Sequence, residues 1–146
     1  MIPGCEIKLL ITDFDGTLVD TFRANYMAYR KAFEEVGLVL CETDYRCCFG
    51  YRFEKFMEVC GVTDEKKAAE IKELKSFYYP DYFKYLQVND VLLRLLLTFK
   101  KGGGKIAVAS TARRKNLDNV LRYIGVVDNF DYILAGEDVE CGKPSP

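Results

Sequence analysis

The ten residues from Lys8 to Thr17 constrain the fold of this 146-residue chain more than any other segment. Their sequence, KLLITDFDGT, is an apolar run that ends in two carboxylates one residue apart, followed by glycine and threonine. We interpret Ile7 to Thr12 as a β-strand buried on both faces, because parallel strands covered by helices have nearly continuous apolar sequences. The polar residues that follow such strands lie where α/β proteins form their sites.

The two aspartates, Asp13 and Asp15, are spaced to act at one point. Side chains alternate along a strand, so both carboxylates would share a face while Phe14 turns into the packing. Gly16 allows a sharp turn out of the sheet, and Thr17 adds a hydroxyl. Repulsion between the carboxylates favours either a cation bound beside them or a proton held on one of them. Both outcomes suit phosphoryl transfer, and the simpler alternative is a pair of aspartates that solvate a turn.

Length, charge and cysteine content exclude several classes of protein. A chain of 146 residues, 49% of them hydrophobic, can bury one core, or a core and a small accessory lobe. The net charge of -1 gives no field that would hold nucleic acid or an anionic membrane, so we expect neither partner. No long apolar segment or basic leader is evident, so we expect a cytoplasmic protein. The six cysteines lack Cys-x-x-Cys spacing, which favours buried reduced thiols over a zinc site.

Hydrophobic periodicity and turn residues predict a strand, a group of helices, a second strand, a helix and a third strand. Apolar side chains from Phe22 to Val36 recur every three or four residues, which indicates an amphipathic helix capped by Asp20 or Thr21 and ended by Gly37. Further helices are predicted over 53–59, from 64 to about 79 with Thr63 as the cap, over 90–100 and over 113–124. The later strands are predicted over 105–110 and 130–134.

This order of elements predicts an α/β fold with a parallel sheet, because strand–helix–strand units form right-handed crossovers. Residues 22–85 contain predicted helices and no predicted strand. We therefore divide the chain into a core, residues 1–19 and 86–146, and an all-helical lobe, residues 20–85, inserted after the first strand.

Three segments of the chain, taken in order, resemble the motifs of a known family. They are DFDGTLVD from Asp13, KIAVAS from Lys105 and GKPSP from Gly142. With the helical insertion between the first two, they are similar to the first three motifs of the haloacid dehalogenase-like superfamily, and most similar to its phosphoglycolate phosphatase and β-phosphoglucomutase members. The first motif is specific, the second is weak alone and the third is intermediate. The resemblance implies a Rossmann-like core with an inserted helical cap.

The resemblance also implies a role for each of four residues. Asp13 would be the nucleophile that forms an aspartyl-phosphate, and Asp15 would be the general acid and base. Ser110 would hydrogen-bond a phosphate oxygen, and Lys143 would neutralise charge on the phosphoryl group and on Asp13. Mg²⁺ would be held by the Asp13 carboxylate and the Asp15 backbone carbonyl. The simpler alternatives are an ordinary strand-end serine at Ser110 and a solvated lysine at Lys143.

The inserted lobe would close over the site, so we expect it to select the substrate. Arg52 lies in the segment 47–53, which resembles the cap loop that faces the catalytic centre, and is the candidate contact for an anionic substrate. Its alternative is a surface arginine whose stem packs on neighbouring aromatic rings. Thr111 follows the second motif and is a further candidate for binding substrate. Arg113 or Arg114 could reinforce an anion site or simply solvate a helix face.

The chain departs from the family's pattern near its last residue. Family members continue past the third motif with a helix, a strand and a fourth, acidic motif that completes the metal site, whereas only three residues follow Lys143. We therefore expect a weakened Mg²⁺ site and an unpaired sheet edge beside Asp13. Glu137, Asp138 and Glu140 are interpreted as a solvated loop. Three alternatives remain open. The chain is truncated, or a second chain completes the fold, as in a homodimer through the open edge, or the protein is a degenerate form.

These inferences lead to the expectation of a Mg²⁺-dependent phosphatase that acts on a small phosphorylated metabolite through an aspartyl-phosphate. A phosphomutase of the β-phosphoglucomutase type is the nearest alternative. A catalytically silent binding protein with the same fold is another, favoured by the missing fourth motif and opposed by the intact first motif.

Overall fold

The structure is a computed structural model that describes Gly4 and residues 6–145. Four consecutive α-helices lie between two short strands in the first part of the chain, and helices alternate with strands after that. In order they are β1 Leu9–Asp13, β2 Val19–Asp20, α1 Phe22–Glu35, α2 Glu42–Cys48, α3 Phe53–Val59, α4 Glu65–Tyr78, a 3₁₀ segment Tyr79–Tyr85, β3 Gln87–Val88, α5 Asp90–Lys101, β4 Lys105–Ala109, α6 Arg114–Tyr123, a 3₁₀ turn Val127–Asn129, β5 Tyr132–Leu134 and a 3₁₀ turn Gly136–Asp138. The predicted α/β class is confirmed.

The main sheet consists of three parallel strands in the order β1-β4-β5. Asp13 lies opposite Ala109, which in turn lies opposite Leu134, so the carboxyl ends of all three strands meet at one edge. Residues that follow the strands, such as Ser110, are therefore brought next to the aspartates. Among the described residues β1 pairs with β4 alone, and its other side is the open edge that the sequence predicted.

Among the residues that the structure describes, helices cover one face of the sheet. Thr12 is buried on the covered face, whereas Leu9 and Ile11 on the other face are 40% and 63% exposed. Tyr132 and Leu134 of β5 share that second face and are also exposed. The prediction of a first strand buried on both faces is therefore wrong for the described chain, because helices pack against alternate side chains only.

Two hydrophobic clusters form the interior. One surrounds the sheet and includes Phe14, Ile106, Val108 and Leu121, while the other, within the helical segment, includes Phe33. Helix α1 contributes to both clusters, because it places small residues toward the sheet and aromatic residues toward α2 to α4. The division into residues 1–19 with 86–146 and residues 20–85 stays a prediction. No helix in the described residues is long and apolar enough to span a bilayer.

Local capping explains where the helices begin and end. Helix α3 has the predicted bounds, and α1 ends two residues before Gly37, which has a positive φ of 76°. Thr63 does not cap α4 as predicted; the Asp64 carboxylate accepts from the N–H groups of Lys66 and Lys67 at 2.9 and 3.3 Å. Helix α2 was not predicted, because only two of its seven side chains are buried and its apolar periodicity is weak.

The cysteines are less buried than predicted. All five that the structure describes are free thiols, and of these Cys48 is buried and Cys60 is half-buried. Cys41, Cys47 and Cys141 are exposed, which contradicts the prediction of buried thiols at those positions. Cys5, to which the same prediction applied, lies outside the described residues, as does Pro146 at the end of the third motif.

Candidate active site

A tight turn after β1 sets the direction of both aspartates. The Phe14 carbonyl accepts from the N–H groups of Thr17, Leu18 and Val19 at 3.0 to 3.2 Å, so three donors converge on one acceptor. Gly16 takes a φ of 79°, in the left-handed region that favours glycine. The Phe14 ring is only 1% exposed and anchors the turn in the core cluster. This local geometry leaves the two flanking carboxylates beside the strand ends.

The Asp13 carboxylate contacts a residue from the far end of the chain. The Lys143 ammonium donates to Asp13 Oδ1 at 2.5 Å and to the Ala109 carbonyl at 3.0 Å. The Thr17 hydroxyl donates to Asp13 Oδ2 at 3.1 Å. The side chains of Asp13 and Lys143 are 45% and 47% exposed, so a ligand can reach both. Lys143 thus lies against the first aspartate rather than free in solvent.

Two hydroxyls orient the Asp15 carboxylate. Ser110 donates to Asp15 Oδ2 at 3.0 Å, and Thr21 donates to Oδ1 at 2.5 Å. Ser110 Oγ also accepts from the N–H of Ala112 at 3.0 Å, which fixes the serine rotamer. The sequence indicated Thr21 as a candidate helix cap; it occupies that position without a side-chain capping bond, and its contact with Asp15 was not predicted. The capping bond at Phe22 N–H comes from Asp20, at 3.2 Å.

An open cavity of about 350 Å³ lies over these groups. Its lining residues are Asp13, Asp15, Gly50, Tyr51, Arg52, Lys55, Thr111 and Lys143. Six residues were predicted from the sequence to act on or bind the substrate, and five of them line this cavity. The sixth, Ser110, does not line the cavity but donates a hydrogen bond to Asp15, which does. Gly50, Tyr51 and Lys55 were not identified individually, because nothing in their local sequence distinguishes them from surface residues.

Arg52 joins the helical segment to the loop after β5. Its guanidinium donates to the Gly136 carbonyl at 3.1 Å and to the Glu140 carbonyl at 3.3 Å. A Cβ at Gly142 would approach the Arg52 stem to 2.8 Å, so a larger residue there would force the Arg52 side chain to shift. Thr111, which follows β4, makes a longer contact with the helical segment, 3.5 Å from its hydroxyl to the Gly50 carbonyl.

The other charged candidates are engaged within the protein. Arg113 donates to Glu73 at 2.7 Å, and Arg114 donates to the Ile133 carbonyl at 2.7 Å and to Asp138. Glu137 accepts from the Arg114 N–H at 3.1 Å. Hydrogen bonds from the Ala135 N–H and from Arg114 lower the pKa of the Asp138 carboxyl. Glu137, Asp138 and Glu140 are all exposed, in agreement with the interpretation of a solvated loop. In addition, the Glu137 and Asp138 carboxylates hold the start of α6 against the loop after β5.

Comparison with known proteins identifies the family. The sequence profile of the haloacid dehalogenase-like hydrolases matches residues 10–146. The chain belongs to this family. The protein named "Putative phosphatase YhcW" from Bacillus subtilis (strain 168) is 31% identical over 145 residues, which cover 96% of this chain and 65% of that protein. The beta-phosphoglucomutase of the same organism is 28% identical over 150 residues, which cover 96% and 66%.

Solved structures of the family show the same architecture. A haloacid dehalogenase-like hydrolase from Bacteroides fragilis aligns with a TM-score of 0.80 at 27% identity, over 97% of this chain and 69% of that one. A beta-phosphoglucomutase from Clostridium difficile aligns with a TM-score of 0.76, also at 27% identity, over 97% and 67%. The chain spans slightly less than two thirds of the length of YhcW.

The oxygen donors of the site suit the metal that the family implies. Within the described residues no group of three or more His, Cys, Asp or Glu side chains comes together. The Asp13 carboxylate accepts one hydrogen bond on each oxygen, which leaves further lone pairs for a cation. Mg²⁺ is commonly held by one or two carboxylates, with waters and substrate phosphate completing the octahedron. The Asp13 carboxylate therefore fits one ligand position of a Mg²⁺ site that relies on water and phosphate, and the family resemblance implies the Asp15 carbonyl as another.

Proposed function

We propose that this haloacid dehalogenase-like hydrolase is a Mg²⁺-dependent phosphatase that hydrolyses a small phosphorylated metabolite through an aspartyl-phosphate. The observation that carries the proposal is the accessible Asp13 carboxylate, 2.5 Å from the Lys143 ammonium and beside a second, hydroxyl-bound aspartate. The relative named as a phosphatase supports the reaction class. Three cationic side chains at the cavity, from Arg52, Lys55 and Lys143, favour a phosphorylated ligand.

In the first half of the reaction an Asp13 oxygen attacks phosphorus and the bond from phosphorus to the ester oxygen breaks. Asp15 supplies the proton that the leaving oxygen needs. Lys143 offsets the negative charge that would otherwise oppose attack of a carboxylate on a phosphate dianion. The Thr21 and Ser110 hydroxyls hold the Asp15 carboxyl in one orientation, so its proton is presented in a fixed direction.

In the second half Asp15, now ionised, takes a proton from a water molecule that attacks the aspartyl-phosphate. The bond from phosphorus to the Asp13 oxygen breaks, which releases phosphate and restores both carboxyl groups to their starting states. Bound Mg²⁺ would supply further neutralisation of phosphate charge. The helical segment would limit the access of bulk water, and its contact through Arg52 with the loop after β5 supports that role.

The similarity to beta-phosphoglucomutases favours a second candidate, a phosphomutase that uses the same aspartate. In a mutase the aspartyl-phosphate passes its phosphoryl group to a second hydroxyl of a sugar phosphate instead of to water. Such an enzyme would release little phosphate from a hexose phosphate and would interconvert its isomers when given a bisphosphate primer. Measuring both products in one reaction distinguishes the two functions.

The test of the proposal compares the wild type with Asp13→Asn on p-nitrophenyl phosphate and Mg²⁺. Asp128→Asn is the matched control, because Asp128 is exposed and lies in the 3₁₀ turn before the amino end of β5, whereas the site lies at the carboxyl ends of the strands. We expect the wild type and the control to release p-nitrophenol and Asp13→Asn to be inactive. Beryllium fluoride should form an adduct on Asp13. Activity retained by Asp13→Asn, an adduct on another residue, or a folded wild type with no activity at any Mg²⁺ concentration would refute the proposal.

We also propose a cytoplasmic protein without nucleic-acid or membrane partners, which can form a homodimer through the open edge of β1. The exposed side chains Leu9 and Ile11 beside that edge support self-association. Sedimentation across a range of protein concentrations tests the dimer, and Ile11→Lys should shift the equilibrium toward monomer. A monomer at all concentrations would exclude it.

A further inference from the structure

A part of the surface that the proposed reaction does not use forms an open cavity beside the first turn of α1. We call it the side cavity, and its volume is about 620 Å³. Three cationic and three aromatic side chains line it, from Arg23, Arg46, Lys84, Phe22, Phe49 and Tyr85. None of the residues described lines both this cavity and the one over Asp13. The volume lies within the range of about 300 to 1,000 Å³ that is typical of small-molecule sites.

The positive charges of the side cavity are incompletely neutralised by the protein. Glu42 accepts from Arg46 at 2.8 Å, and its other carboxylate oxygen lies 4.0 Å from the Arg23 guanidinium, so one carboxylate serves two arginines. Lys84 is exposed and forms no ion pair with a residue that the structure describes. The side cavity therefore keeps donors on Arg23 and Lys84 that an anionic ligand can use.

Two of these charges lie against the same ring. The Arg23 guanidinium is 5.9 Å and the Lys84 ammonium is 5.3 Å from the Tyr85 ring centroid. Like charges near one ring repel each other, and an anion bound between them would remove that repulsion. Asp20, the one carboxylate among the described residues of the wall, accepts from the Phe22 N–H at 3.2 Å and thereby caps α1. Phosphate oxygens accept strongly from both guanidinium and ammonium groups, so this part of the cavity favours a phosphorylated ligand.

Arg46 offers a planar surface to a ligand in the same cavity. Its guanidinium lies over the Phe22 ring, 4.2 Å from the centroid, and its side chain is 64% exposed. The Phe22 ring is supported in turn by Phe49 and Tyr45, whose ring centroids lie 5.3 and 5.4 Å away. A guanidinium with one face on an aromatic ring leaves its other face open, and guanidinium planes stack on nucleobases. The side cavity thus combines two cations that suit phosphate with a platform that suits a planar ring.

We propose that the side cavity binds a nucleoside triphosphate, with the phosphates between Arg23 and Lys84 and the base stacked on Arg46. A chain of phosphate groups can reach both cations while the base remains at the arginine platform. The three residues belong to α1, to the 3₁₀ segment Tyr79–Tyr85 and to α2, so the ligand would join three elements of the helical segment. The inference goes beyond the proposed catalysis at Asp13 and does not depend on it.

Calorimetry with ATP tests the phosphate part of the site, in a buffer with EDTA so that no metal supports hydrolysis. We expect the wild type to bind one ATP per chain, and Lys84→Met to bind it about tenfold more weakly, because one of the two charges at the phosphates is lost. Lys143→Met, the same substitution in the cavity over Asp13, is the matched control and should bind ATP as the wild type does. Binding that depends on Lys143 and not on Lys84 would place ATP in the catalytic cavity and overturn the proposal.

A second pair of measurements tests recognition of the base. Arg46→Lys keeps the positive charge and removes the guanidinium plane, so it should weaken the binding of ATP and leave the binding of inorganic triphosphate unchanged. The wild type should bind ATP more tightly than either inorganic triphosphate or adenosine, because each of these uses only one part of the site. Equal affinities for ATP and inorganic triphosphate, or an Arg46→Lys variant that binds ATP as the wild type does, would refute stacking of a base on Arg46.

Thermal unfolding gives an independent readout, because a ligand that binds only the folded state raises the melting temperature. ATP should raise the melting temperature of the wild type and of Lys143→Met, and it should raise that of Lys84→Met much less. Circular dichroism confirms that each variant is folded. A folded wild type that binds no ATP at millimolar concentration would refute the site and leave the proposed phosphatase function intact. Inactivity on p-nitrophenyl phosphate would instead count against the proposed function alone.

Discussion

Replacement of Lys75 by methionine should stabilise the protein, and the gain should depend on pH. Burial lowers the pKa of Lys75 from 10.5 to about 7. Each pH unit between the two values corresponds to about 1.4 kcal/mol of folding free energy. At pH values below 7 the buried ammonium therefore costs roughly 5 kcal/mol, which Lys75→Met would recover in part, since methionine has a similar shape and no charge.

The direction of the pH dependence follows from which state holds the proton. Between about pH 7 and pH 10.5 the unfolded chain keeps the Lys75 proton while the folded protein has released it. The unfolded state then binds more protons, so the stability of the wild type rises with pH across this window. Below pH 7 both states are protonated and the penalty is constant. The advantage of Lys75→Met should be largest there and should disappear near pH 10.5.

Urea unfolding followed by circular dichroism measures this effect directly. The free energies of unfolding of the wild type and Lys75→Met are compared at about pH 6, pH 8 and pH 9.5, with Lys67→Met as an exposed control on the same helix. Groups that titrate in both proteins cancel in the difference. A stability gain that is the same at all three pH values, or a loss at about pH 6, would refute the placement of Lys75 in an apolar wall.

Three further changes test the site and its support. Thr21→Val removes the hydroxyl that donates to Asp15 and keeps the buried shape of the side chain. We expect kcat on p-nitrophenyl phosphate to fall about tenfold and the free energy of unfolding to stay unchanged. An unchanged kcat would contradict the role of Thr21 in orienting Asp15. Lys143→Met should lower kcat by a factor of about 10² to 10³ and abolish the beryllium fluoride adduct, because it removes the positive charge beside Asp13. If the adduct formed as in the wild type, Lys143 would not neutralise charge at Asp13. Phe14→Ala should lower the free energy of unfolding in urea by about 3 to 5 kcal/mol, because the ring is fully buried beneath the catalytic turn. A decrease of less than about 1 kcal/mol would contradict the role of Phe14 in anchoring the turn.

Elements governed by short-range interactions were predicted well. The turn after β1 depends on the contacts of Phe14 with the next five residues, and helix α3 depends on its own apolar periodicity. Such patterns are visible in a sequence because the interacting groups are neighbours. The exposure of Ile11 was not predictable in the same way, since an apolar strand residue has the same sequence signature whether or not a helix packs against it. Glu137 likewise gave no sign of its bond to the Arg114 N–H.

The sequence by itself determined the fold class, the family and the two aspartates at the end of β1, because alternation, turn chemistry and a specific motif are local properties of the chain. Only the tertiary structure decided which groups those aspartates meet. Lys143 reaches Asp13 across 130 positions of sequence, and Ser110 reaches Asp15 across 95. Lys75 of α4 and Asn116 of α6 line one cavity, which exists only because these two helices are packed in the same part of the fold. Contacts of this range depend on how whole elements pack, and side-chain type alone does not specify that packing.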